Sequence, residues 1–499
     1  MLRRAINCSL KRYYHAKRAP VARVASARVG RIQKQRLDYD ARPASKTKFD
    51  PTKSFEPFPF AVTEENRLDI LNKIVTPLHD IPYEEQLASK ESYCRNSLRA
   101  FGQELYKAGT PVRLDVRRLP CQVNQIVHPK HIHHYRNKDE FSIWHGLDGK
   151  TITAGFNAFP ISKHGDTVCV EPNGCVSMKE DTIRLLDVVQ EFLRDKATLP
   201  VCFDLGSNGG WRRIIIRSNE DHQLMLIGVL SPRGLRVREV LAERDNFRDF
   251  VVGRSQELGL KLASLYYQPC PHTACLHKDV PFELLYGEKT LEETIGRFKF
   301  VISPESFLHE NSEGAGLLCE TVINMIDECF SFKETGVKPL IVDAHCGVGV
   351  LAVNLAEKAS RLIGIDSSSQ AISDAQTNVQ LNDITNVELI NSSVEIVLEK
   401  VFEKYSRFRN DTLVICDAPR GGVHRNVIDA LRHSKQVRKM IFITPKIDSP
   451  KVMSNLLELC SKSRAKSLPP FAPVLATPVD CSPLVESFQT VLALERLPE

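Results

Sequence analysis

The chain reads as an α/β protein that ends in a doubly wound, Rossmann-like sheet, and three observations predict this. Residues 338–366 run strand, glycine turn, helix, strand. An apolar run at 340–342 closes on Asp343, Gly347 and Gly349 make the turn, 351–358 has helical spacing, and a second apolar run at 362–365 closes on Asp366. Further apolar runs follow at 386–395, 412–417, 439–446, 473–480 and 490–494, alternating with helical stretches. Ahead of this region, residues 112–292 carry short alternating runs parted by Gly, Asn and Pro, which predict an α+β domain with a sheet.

Taken in order, residues 1–37 hold eleven Lys or Arg and no acid, with Leu2, Ile6, Leu10 and Tyr14 recurring at helical spacing. That composition predicts a mitochondrial transit peptide, the alternative being a basic arm that binds nucleic acid. The formal charge of +6 is therefore misleading, because without those eleven cations the remainder carries −5. Any RNA binding by that remainder must come from a local patch. Residues 38–60, with Pro43, Pro51, Pro57 and Pro59, read as a linker, and 61–111 as a helical N-terminal element. Within 112–292, strands are predicted at 112–116, 141–144, 151–155, 213–217 and 224–230, and helices at 180–194 and 236–258. The third region, 293–499, opens with residues 300–307 leading into a helix through 326. No apolar run approaches the roughly 18 residues of a membrane span, so no membrane partner is expected. The fourteen cysteines show no paired framework and are expected as free thiols. Cys270, His272, Cys275 and His277 offer soft ligands close together, as do the histidines at 128–134, but neither group has a second cluster at supporting spacing, so no metal is predicted.

The glycine turn marks the first candidate site. Gly347 and Gly349 let backbone approach a ligand at a helix N-terminus, and Asp366 can accept two ribose hydroxyls. Dinucleotide and S-adenosylmethionine (SAM) binders share this pattern. Asp343 ahead of the turn and Asp417 at the end of a later strand point to SAM. A second candidate is Tyr135, Arg136, Asn137 and Lys138, where cations could hold phosphates and the aromatic ring could stack on a base; a solvated charged turn is the competing reading.

Eight stretches in order then carry a resemblance: V-T-P-L at Val75, P-Y-E-E-Q-L at Pro82, Y-R-N-K at Tyr135, S-L-Y-Y-Q at Ser264, I-S-P-E-S-F at Ile302, D-A-H-C-G-V-G at Asp343, D-A-P-R-G-G at Asp417 and P-V-D at Pro478. Together the chain from about 65 to 495 resembles the SAM-dependent RNA (uracil-5-)-methyltransferases, the tRNA m5U methyltransferase family, most of all its animal mitochondrial branch. The resemblance implies a class I methyltransferase domain, SAM as cofactor, a mitochondrial tRNA or rRNA as partner, a matrix location, and no obligate protein partner. It implies cofactor contacts from His309, where the family has Gln, and from His345, where it has an aromatic, alongside Asp343, Gly347, Gly349, Asp366 and Asp417.

The chemistry that the resemblance implies is demanding. A Cys thiolate adds to uracil C6 so that C5 can take the methyl, and a carboxylate then removes the C5 proton. At those two positions this chain has Pro445 and Gln489. Cys481, Cys416 and Glu486 are the neighbouring groups that could substitute. Two expectations follow: uridine C5 methylation with SAM, or a catalytically inactive homologue that still binds mitochondrial RNA and SAM. A nitrogen-directed methyltransferase is a third, opposed by Arg420 where such enzymes stack an aromatic.

Overall fold

A computed structural model describes residues 62–498 except 111–112, 159–166, 204–208, 273–279, 331–335, 407–411, 419–420 and 462–467. The transit peptide and linker expected at 1–60, and Cys275, His277 and Arg420, lie outside the described residues.

Two helices come first, α1 (Arg67–Val75) and α2 (Tyr83–Lys107). Strand β1 (Gln122–Val123) follows, then β2 (Lys138–His145), β3 (Ile152–Ala158), β4 (Val168–Val170), α3 (Glu180–Asp195), β5 (Gly210–Ser218), β6 (Gln223–Ser231), α4 (Val237–Glu257), β7 (Lys261–Pro269) and β8 (Glu283–Gly287). β2 to β8 form a seven-stranded sheet, order β4-β3-β2-β5-β6-β7-β8, which is antiparallel except for the β6–β7 pair. One face is covered by α3 and α4, whose Leu185, Val189, Phe192 and Phe247 pack with Trp211 in a buried core. The predicted α+β region is thus present, with its helices displaced by at most two residues from the predicted bounds.

A hairpin, β9 (Leu291–Ile295) and β10 (Phe298–Ile302), leads to α5 (Ser312–Cys329). The second sheet then builds from β11 (Leu340–Ala344), α6 (Val350–Leu355), β12 (Arg361–Asp366), α7 (Ser369–Leu381), β13 (Val387–Asn391), α8 (Val394–Lys404), β14 (Thr412–Asp417), α9 (Arg425–His433), β15 (Val437–Thr444), α10 (Pro450–Cys460), β16 (Phe471–Val479) and β17 (Gln489–Arg496). Its order is β1-β16-β17-β15-β14-β11-β12-β13. Only β17 runs against its neighbours, so the strand ends after Asp343, Asp366, Asp417 and Thr444 all meet at one edge. That is where a doubly wound sheet places its ligand.

The N-terminal element is not a unit of its own. α1 puts Ile70 and Leu71 into the core of the seven-stranded sheet, whereas α2 puts Cys94, Leu98, Phe101 and Leu105 under the other sheet. Their spacing of three and four residues draws one stripe along α2, and burial of each large apolar side chain is worth about 1.5–3 kcal/mol. Strand β1 likewise leaves the central region and pairs with β16. The strand expected at 112–116 is absent among the described residues 113–116. Asp115 instead closes a turn there, its Oδ1 accepting from the N–H groups of Arg117 (2.8 Å) and Leu119 (2.7 Å). Cys270 is disulfide-bonded, against the expectation of free thiols throughout. No helix among the described residues is long and apolar enough to cross a membrane.

Candidate cofactor cleft and active site

The glycine turn follows β11 as the sequence requires. Gly347 (φ +54°) and Gly349 (φ +83°) both occupy the left-handed region. A Cβ at Gly349 would lie a tight 3.3 Å from the Ala375 Cβ of α7, which adds to the strain its left-handed backbone would place on any other residue. His345 is also left-handed, at φ +70°, a costly conformation for a residue with a Cβ; its N–H is tied to the Ile365 carbonyl at 2.9 Å.

Strand alternation puts Asp343 on the same face as Ile341, and Asp417 on the same face as Leu413 and Ile415, in paired strands. The two carboxylates line one cleft with Phe307, Leu308, His309, His345 and Gly347. Asp343 is fully buried, and neither of its oxygens has a hydrogen-bond partner. Burial, then the nearby Asp417, then Asp366 push its pKa up to about 8. Burial alone pushes Asp417 up to about 7. The Nδ1 of His345 is buried without a partner, and burial lowers the pKa of both His345 and His309. Unsatisfied buried polar atoms cost about 1–3 kcal/mol each, and here they converge on one cleft. Two carboxylates and an imidazole, bare and facing one space, fit a ligand that brings donors and positive charge, as SAM does with its ammonium, hydroxyl and sulfonium groups. The free space is only about 70 Å³. Pockets for small-molecule cofactors hold roughly 300 Å³ or more, so this space takes only part of such a ligand. Phe307, 73% exposed on a segment without regular structure, forms the outer wall.

Asp366 is placed differently. Its two oxygens accept the N–H groups of Gly347 (3.1 Å) and Ser368 (2.8 Å), so it anchors the turn from below, and it is not among the residues lining the cleft.

The positions of the expected nucleophile and base do come together. Thr444 of β15 pairs with Thr490 of β17, so Pro445 and Gln489 stand one step further along the same antiparallel ladder. Gln489 faces the side of Val491 and Ala493, and its Oε1 is buried without a partner. Pro445 lines a cavity of about 640 Å³ with Glu486, Lys446, Lys90, Tyr93 and Phe488. The substitutes fare unequally. Cys416 is fully buried on β14 among Ala344 and Phe442, and Cys481 is buried against the Gly314 carbonyl; burial pushes both thiols far above the range where a thiolate forms. Glu486 alone shares a cavity with Pro445.

The segment expected to touch RNA is turned inward. Tyr135 is buried, its hydroxyl donating to the Pro483 carbonyl at 2.8 Å. Arg136 is ion-paired with Asp139 and Glu310, and Lys138 with Glu140. Asn137 is buried and donates to the His309 carbonyl and to Ser312 Oγ, both at 2.9 Å. These residues brace the loop 307–312 beside the cofactor cleft. Of the three neutralising acids, Asp139 and Glu140 follow directly in the chain, and only Glu310 lies far along it.

Other matched stretches prove to be joints. In I-S-P-E-S-F, Ser303 and Ser306 both donate to Asp374 of α7, and Arg217 donates to the Ser306 carbonyl. In P-V-D, Asp480 receives Lys90 Nζ at 2.8 Å and Tyr83 Oη at 3.0 Å, which fastens α2 to the end of β16.

Comparison with known proteins agrees with this geometry. The sequence model of a family described as a methyltransferase domain matches residues 339–448. A Danio rerio protein named tRNA (uracil-5-)-methyltransferase homolog B is 31% identical over 85% of this chain and 86% of its own length. The chain belongs to the tRNA (uracil-5-)-methyltransferase family. The Homo sapiens homolog B is also 31% identical, over 85% of this chain and 84% of its own, and the human homolog A is 28% identical over 85% and 67%. Among solved structures, the Pyrococcus abyssi tRNA (uracil-54, C5)-methyltransferase in complex with S-adenosyl-L-homocysteine superposes with a TM-score of 0.57 at 19% identity, covering 84% of each chain, which shows the shared fold.

Proposed function

We propose that this protein binds SAM in the cleft over Asp343 and Asp417 and methylates uridine C5 in tRNA, the activity by which its relatives are named. The observation that carries this is the fully buried, unpartnered carboxylate of Asp343, with that of Asp417 beside it, at the glycine turn of a chain that aligns with that family over 85% of its length. Asp343 and Asp417 orient the cofactor, His309 and His345 close its surroundings, and Asp366 holds the turn. When bound, SAM supplies an electrophilic methyl group. Gln489 can hydrogen-bond a uracil edge but cannot take the C5 proton. This reading leaves Glu486, beside Pro445, as the base, and Cys481, beyond β16, as a thiolate only if it leaves its buried contact with the Gly314 carbonyl. The acid-free basic stretch at 1–37 supports mitochondrial tRNA or rRNA as substrate and the matrix as location.

A second reading is favoured by one observation, that Pro445 and Gln489 stand side by side where thiolate and carboxylate are required. In that reading the protein keeps the cofactor cleft and holds RNA without transferring a methyl. One experiment separates the two. The protein is incubated with methyl-labelled SAM and tRNA transcripts, with Asp417→Ala as the cofactor-blind control. Label on uridine C5 that disappears in Asp417→Ala and in Cys481→Ser supports the enzyme. SAM binding by calorimetry with no label on any RNA supports the second reading.

A further inference from the structure

With Tyr135 to Lys138 turned inward, the cations that meet RNA must lie elsewhere. Residues 92–122 hold six Lys or Arg (Arg95, Arg99, Lys107, Arg113, Arg117, Arg118) against two acids, Glu104 and Asp115, in a body that is otherwise negative. Lys107 is paired with Glu104 and Arg95 with Glu91. No described carboxylate forms an ion pair with Arg99, Arg113, Arg117 or Arg118. Asp115, the one acid inside the turn, spends its Oδ1 on the backbone of Arg117 and Leu119. Arg113, Arg117 and Arg118 are exposed, and Arg95, Arg113 and Arg117 line a groove of about 520 Å³.

The turn is held in place. Asp115 N–H bonds to the Leu119 carbonyl at 3.0 Å, Arg118 N–H to the Asp115 carbonyl at 2.9 Å, and Arg99 Nε to the Arg117 carbonyl at 3.2 Å. It lies on α2 at Gly102, where a Cβ would come within 3.1 Å of both the Arg118 carbonyl and Leu114. The guanidinium groups therefore project from a fixed backbone. Arginine forks match phosphate oxygens in pairs, and a rigid base lowers the entropy lost on contact.

The location of this turn limits what it can bind. The arginine turn feeds β1 from its amino end, whereas the cofactor cleft and Pro445 lie at the carboxyl end of the same sheet. α2 joins the two ends: Gln86, Lys90 and Tyr93 line the Pro445 cavity, and Arg99 reaches the turn. Gln86 and Arg99 are thirteen residues apart on it, about 20 Å at 1.5 Å per residue. A single nucleotide seated at the cleft would not reach that far; the paired body of a folded RNA would.

We propose that the 113–118 turn, with Arg99, is a distal phosphate-docking surface that grips the body of a folded tRNA while one of its nucleotides sits at the cofactor cleft. This rests on the reading of tRNA as substrate. The test is equilibrium binding, across a range of salt, of a full-length tRNA transcript and of a short single-stranded oligonucleotide cut from it around the same uridine. The wild type is compared with the triple variant R113Q/R117Q/R118Q and with R113K/R117K/R118K, with calorimetric SAM binding confirming that each is folded. The triple Gln variant should lose about 10- to 100-fold in affinity for full-length tRNA, with the log–log salt slope shallower by about 2–3. Its affinity for the oligonucleotide should be unchanged, and the Lys variant should keep the salt slope while binding less tightly than wild type, because it retains the charge without the fork. Unchanged full-length affinity and slope in the Gln variant overturn the proposal, as does equal weakening of the oligonucleotide and the full-length RNA. A wild type that binds neither RNA overturns the tRNA reading itself.

Discussion

Two polar clusters at the carboxyl edge of the same sheet behave in opposite ways. Around Asp480, every group has found a partner: Lys90 and Tyr83 meet its carboxylate, and the Ser482 N–H bonds to Oδ1 at 3.2 Å. Around Asp343, a few strands away, two carboxylates crowd together and the deeper one has no donor. Both are buried and both fall within stretches shared with the family. A satisfied buried cluster is a fastening, and an unsatisfied one is a place kept for a ligand.

Breaking the fastening should have the largest effect. Asp480→Ala leaves Lys90, only 3% exposed at its side chain, as an unpaired buried cation and should cost about 3–5 kcal/mol in urea unfolding. Lys90→Met in the same background should recover most of that loss; if it does not, Asp480 has a role beyond pairing. The Arg136 pair offers the next test. Arg136→Ala strands the fully buried Asp139 and should cost about 2–4 kcal/mol while leaving tRNA affinity of the folded fraction unchanged. A selective fall in tRNA affinity would show that this segment touches RNA after all.

The ligand site should respond with the opposite sign. Asp343→Asn removes a buried charge that nothing compensates, so the cofactor-free protein should gain about 1–2 kcal/mol at pH 8, while SAM affinity falls at least about tenfold. A destabilised variant would mean that Asp343 is a fastening too. The same two acids also set a pH dependence. Asp343 and Asp417 titrate near 8 and 7 when folded, and near 4 when unfolded. Relative to the protonated state, the stability they permit is full below about pH 4 and is lost as pH rises through the window up to about 8. Urea midpoints of the cofactor-free protein should therefore fall from pH 5 to pH 8 more steeply than those of D343N/D417N. SAM affinity should rise over the upper part of that window, because a cationic ligand favours the ionised carboxylates. Equal slopes for the two proteins would mean that neither acid has a raised pKa.

Much of this was legible in the chain. The 338–366 pattern fixed a strand, turn and helix because apolar periodicity and glycine placement are local constraints, and Asp343, Asp366 and Asp417 fell at strand ends as predicted. Helix 351–358 was found too, though its last turn tightens to 3₁₀ over Ala356–Lys358. The turn at 113–118 was misread as a strand because its alternating apolar residues outweighed a single Asp whose side chain closes the backbone.

The sequence by itself determined the doubly wound domain and the family, since each depends on residue identity and local order, and it raised the expectation that Pro445 and Gln489 stand where a thiolate and a carboxylate are needed. Tertiary structure alone decided which charges remain open. Y-R-N-K looked like an RNA surface until Asp139, Glu140 and Glu310 closed on it, and Arg113, Arg117 and Arg118 looked ordinary until no described carboxylate reached them. The physical reason is that a charge is spent or kept by its neighbours in space, and 174 residues separate Arg136 from Glu310.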